Sequence, residues 1–154
     1  MKSRAEVIPI LSQREYLEIR RLEHLKIYPE FTRLEQRLLS MGGEMVVPRQ
    51  EPDQEDLLSW GRLWSGDNVK VVTGTPCDCH GNVAELWRSN QKRYRIATGW
   101  ALSEDGLWRQ HSWIVDWRTI IETTIPREKY FGFVLTHLEA RARSALYTSV
   151  KGCF

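Results

Sequence analysis

Between Tyr94 and Leu135 the chain carries four strand-like apolar runs joined by short polar turns, and a sheet is the one way to bury them all. The runs span about Tyr94 to Leu102, Leu107 to Val115, Thr119 to Thr124 and Tyr130 to Leu135. β-branched and aromatic residues fill them, and the Asp105-Gly106 dipeptide favours a hairpin between the first two. Just upstream, Cys79 to Trp87 repeats its apolar residues at helical spacing.

The N-terminal third reads differently. Ser12 and Glu15 form a capping box, and Tyr16, Ile19, Leu22 and Leu25 follow at helical spacing, so a first helix is expected from about Gln13 to Ile27. Phe31, Leu34, Leu38 and Met41 mark a second amphipathic segment that Gly42-Gly43 stops. Arg20, Arg21, Glu23, Arg33, Glu35 and Arg37 lie between these apolar positions and read as solvated helix faces. Residues 44–55 are polar with two prolines and read as a loop, the one candidate hinge. Asp53 is placed to cap a third helix running through Trp64, with Leu57, Trp60 and Trp64 on one face. A strand is expected from Val69 to Thr73 and a last helix from Leu138 to Leu146.

The expected fold class is therefore α+β, with a helical N-terminal part followed by a helix packed on an antiparallel sheet. A chain of 154 residues suits one domain, with 1–52 as a helical extension and 53–154 as the core.

Composition narrows the partners. A formal charge of +2, with basic residues scattered among acidic ones, argues against a nucleic-acid footprint. No apolar run approaches the ~20 residues needed to cross a bilayer. Three cysteines, Cys77, Cys79 and Cys153, cannot all pair within the chain, which fits a reducing compartment and a cytoplasmic location.

Three residues carry the chemistry. Cys79 opens the helical segment before the sheet, His111 lies in the second strand and Glu122 in the third. A thiol nucleophile needs its pKa lowered, which a helix N-terminus and a nearby imidazole can do, and the imidazole needs a third group to fix its tautomer. Cys77 is the rival nucleophile, Asp116 the rival acid, and His80 reads as a loop or cap residue. Asn82, with the backbone N–H groups at the helix start, is a candidate for stabilising an oxyanion. A zinc site built from Cys77, Cys79, His80 and His111 is a further alternative, although the C-x-C gap is tight for it.

The order of these residues and their surroundings resemble the papain-like cysteine hydrolases, and among them the transglutaminase-like core. The resemblance rests on Cys79 at a helix start, on Arg95 with Gly99-Trp100, on His111-Ser112-Trp113, and on Glu122-Thr123. It covers roughly Thr75 to Thr124, and departs from the family in having Glu as the acid and only Asp116 to Thr119 between the two strands. It implies a Cys79–His111–Glu122 triad acting on an amide or related acyl bond, as a thiol hydrolase or acyltransferase with no cofactor. The substrate would be a peptide or other amide-containing molecule, in a groove walled by Trp100 and Trp113. The alternative is a non-catalytic binding module on the same fold.

Overall fold

The computed structural model describes residues 10–147. Helix α1 (Gln13–Ile27) begins at the expected capping box: Ser12 Oγ accepts from the Glu15 N–H at 3.2 Å and the Glu15 carboxylate accepts from the Ser12 N–H at 3.0 Å. Helix α2 (Phe31–Leu39) follows, and two 2.7 Å bonds from Arg21 to the Glu35 carboxylate fasten the pair. Glu35 is buried, so this charge is a helix-to-helix tie and not part of a solvated face.

The chain then forms strand β1 (Met45–Val46), helix α3 (Gln54–Trp60) and strands β2 (Arg62–Ser65) and β3 (Lys70–Val71). The third helix ends four residues earlier than expected. Gly61 adopts extended backbone, and Trp64 pairs with Tyr130 in the sheet instead of continuing the helix, while Trp60 is 75% exposed. Helix α4 (Cys79–Ser89) precedes strands β4 (Tyr94–Leu102), β5 (Leu107–Asp116), β6 (Thr119–Glu122) and β7 (Lys129–Val134), and helix α5 (His137–Tyr147) closes the described region.

The sheet is mixed, where an antiparallel one was expected. Its order is β2-β7-β4-β5-β6-β3, with β1 joined to β5. The four long strands pair antiparallel, but β1–β5 and β3–β6 are parallel. Strand β3 lies inside the run expected from Val69 to Thr73, whereas β1 falls in the stretch read as a loop. No described helix is long and apolar enough to cross a membrane.

The sheet curls into a half-barrel, and both of its faces are buried. On the outer face, α2 and α3 cover Trp100, Leu102, Trp108 and Phe131, while α4 and α5 cover Ile96, Ile114 and Ile121. Helix α2 and strand β1 thus share a core with the sheet. On the inner face Ala97, Ala101, Trp113, Val115, Ile120 and Tyr130 pack against one another. Curling at this point depends on glycine. Gly99 and Gly132 are direct partners across β4 and β7, and a Cβ on either would come within 2.2 Å of a carbonyl oxygen on the other strand.

One edge of β5 is incomplete, and this places the site. Strand β1 pairs at Leu107 and Trp108, and β6 pairs from Ile114 to Asp116. Between them, on the same edge, the central strand has no neighbouring strand among the described residues. A cleft of about 830 Å³ opens there, lined by the continuations of β1, β3 and β6 and by the start of α4.

Candidate active site

Cys79 is the first residue of α4. Asp78 caps the helix, accepting from the Gly81 N–H at 3.2 Å, and this sets the sulfur at the positive end of the helix dipole. The thiol is half-buried at the cleft. Helix α4 covers the outer face of the sheet, whereas His111 lies on the inner face with Trp113. The two meet across the open edge of β5, where Cys79 interacts with the His111 imidazole and accepts from the Ser112 backbone N–H.

The other side of the imidazole is anchored. His111 Nε2 lies 2.8 Å from Glu122 Oε2, in a pair with 3% and 0% side-chain exposure. The β5–β6 register pairs Val115 with Ile120 and Asp116 with Thr119, and this brings His111 and Glu122 to the same face. Glu122 has every lone-pair direction occupied. Its Oε2 also accepts from the Tyr130 hydroxyl at 2.9 Å, and its Oε1 accepts from the N–H groups of Thr123 and Thr124 and from Thr124 Oγ1 at 2.9–3.0 Å.

These contacts shift all three titrations. Burial alone would push the Cys79 thiol up, but the His111 charge and hydrogen bond and the Ser112 N–H outweigh it, so the thiol is more acidic than usual. Burial opposes protonation of His111, yet the Cys79 thiolate and Glu122 raise its pKa to about 9. Glu122, despite burial, is brought down to about 2 by His111, Thr124 and Tyr130. The shifts of Cys79 and His111 run in the direction of a thiolate–imidazolium pair, backed by the Glu122 carboxylate.

The remaining expectations divide. Asp116 sits at the solvent end of the hairpin and is bound by Arg93 at 2.8 Å, away from His111. Cys77 is disulfide-bonded, which leaves Cys79 as the free thiol among the described residues. Cys153 lies outside the described residues.

Asn82 does not serve the sulfur. Its amide accepts from Thr75 N–H at 2.9 Å and donates to Thr75 carbonyl at 2.8 Å, pinning the preceding loop to α4. Trp100 and Trp113 do not wall a groove either, for both are 0% exposed. Trp100 is enclosed by α2 and donates to Glu51 at 3.0 Å. Trp113 packs edge-on to Tyr130 and lies roughly parallel to His111, so it forms the floor beneath the imidazole. Among the described residues no group of three or more His, Cys, Asp or Glu side chains is placed to hold a metal ion.

Sequence reasoning missed Tyr130 and Thr124, which finish the Glu122 shell. It also misplaced His80, a half-buried residue of α4 that lines the cleft. His80 Nδ1 is 2.7 Å from Ser112 Oγ and its ring stacks on Tyr147. Burial, with His111 and Arg49 nearby, lowers its pKa to about 4 and keeps it neutral.

The chain matches no family model, no curated protein and no solved structure.

Proposed function

We propose that this protein is a thiol hydrolase or acyltransferase of papain-like, transglutaminase-like type, acting on an amide or related acyl bond. The observation that carries the reading is the buried imidazole held between Cys79 and Glu122, with its charge already shared with the sulfur. Reactive and structural thiols differ in this respect, since a structural buried thiol has its pKa raised.

In this reading the Cys79 thiolate attacks the carbonyl carbon of a substrate in the cleft. The oxyanion forms near the unpaired N–H groups that begin α4, where the helix dipole favours negative charge. Collapse breaks the bond to the leaving amine, which takes its proton from His111, and leaves an acyl-thioester on Cys79. Water or a second amine then attacks the thioester, His111 removes the proton from that nucleophile, and the thiolate departs. Glu122 keeps the imidazole in one orientation and stabilises its charged form through both halves of the cycle.

The pH behaviour follows from the signs. A lowered Cys79 pKa makes thiolate available below the ordinary thiol value of 9.0, and a raised His111 pKa keeps the proton for the leaving group up to about 9. Iodoacetamide labelling of Cys79 should therefore be rapid at neutral pH and be abolished in Cys79→Ala. Turnover of an amide substrate should fall on the alkaline side near pH 9. A labelling profile that rises only around the ordinary thiol value would sink the proposal.

A further inference from the structure

Within the cleft, beyond Glu122 and Thr124, a group of hydrogen-bond donors gathers around Ser103. Ser103 Oγ accepts from Arg109 Nη1 at 3.0 Å and from Arg127 Nη1 at 2.7 Å. A hydroxyl has two lone pairs, and both are used here, so the Ser103 O–H can only donate outwards. Two guanidiniums thus converge on one neutral oxygen.

Only one of the two is in direct contact with a carboxylate. Arg109 is neutralised by Asp105, which accepts from it at 2.7 and 3.1 Å. Glu104, on the same turn, is exposed to solvent. Arg127 makes no direct ion pair among the described residues and feels the Asp105 charge only at longer range. Its Nη2 reaches only the Thr124 hydroxyl at 3.4 Å, and its Nε is buried without a hydrogen-bond partner. A half-buried guanidinium left this way is costly unless an anion completes it.

We infer that Arg127 and Ser103, steadied by Arg109, form a subsite for a carboxylate carried by the substrate, so that the preferred acyl compound is an acidic peptide or a peptide with a free terminal carboxylate. This inference rests on the thiol chemistry proposed above. A guanidinium fork matches a carboxylate in geometry as well as charge. Thr124 connects the subsite to the triad, since the hydroxyl that Arg127 approaches donates to Glu122 Oε1 at 2.9 Å. The anion is therefore bound beside the triad acid and away from the scissile carbonyl at Cys79.

The test compares two acyloxymethyl ketone dipeptides that differ only in Glu against Gln. The Glu probe should label Cys79 about tenfold faster or more, the worth of one charge-assisted hydrogen bond. Arg127→Gln should bring the ratio close to one, and the gentler Ser103→Ala should reduce it in part, with thermal melts verifying that both variants fold. Equal rates in the parent protein, or a ratio that Arg127→Gln leaves intact, would overturn the subsite. A second arm needs no chemistry: calorimetric titration of Cys79→Ala protein with the matching Glu and Gln peptide amides should show preference for Glu, lost when Arg127→Gln is added. Failure of both probes to label Cys79 would refute the thiol reading, and the titration would then decide the subsite by itself, with equal or absent binding counting against it.

Discussion

The two ends of the β5–β6 hairpin place a carboxylate in opposite settings. At the turn, Asp116 accepts three contacts from Arg93 at 2.8–3.1 Å on the protein surface. At the other end, Glu122 accepts five hydrogen bonds with no exposure to solvent. Both carboxylates are more acidic than usual, yet water can replace Arg93 and nothing can replace the donors around Glu122. If Glu122 orients His111 as proposed, the difference lies in burial and fixed donors, whether the acid is Asp or Glu. A longer side chain costs little when four other hydrogen bonds hold it.

Three substitutions probe that contrast. Glu122→Gln should have the largest effect, lowering turnover by about 10⁴-fold, as when a triad acid is neutralised, and stability by about 3 kcal/mol or more, as when a buried pair is broken. Turnover within tenfold of the parent, alongside an unchanged urea midpoint, would mean the two ends of the hairpin do not differ as described. Tyr130→Phe should come next. It removes one donor of five, so the expected loss is about 1.5–3 kcal/mol of stability with a lower kcat and little change in KM. A loss as great as that of Glu122→Gln would show that Tyr130, and not the summed shell, holds the carboxylate. Asp116→Asn should be nearly silent in both assays, and a steep loss of turnover would return the acid's role to the turn.

Much of this was legible in the sequence where local signals are strong. The capping box located α1, and strand β4 begins and ends at Tyr94 and Leu102 as its apolar run does. Other features depend on who sits next to whom. Trp100 and Trp113 are buried because the sheet is covered on one face and curled on the other, which no run of residues reports. Tyr130 looks like any strand aromatic until β7 is known to pair with β4, bringing its hydroxyl to Glu122. Asn82 carries the right chemistry for an oxyanion donor, but a partner seven residues back, Thr75, has both ends of its amide. Arg127 was silent for the same reason, as its surroundings come from the β4–β5 turn.

The missing neighbour on β5 has a mechanical side. The Ser112 N–H would pair with a strand if one lay there, and the Cys79 sulfur takes its place, so one side-chain atom also terminates the backbone ladder of the central strand. A thiolate is a good acceptor and a thioester sulfur a poor one. Each acylation in the proposed cycle would thus release a bond of the sheet, and each deacylation would restore it, tying the covalent state of the sulfur to the tension of the strand that carries its own base.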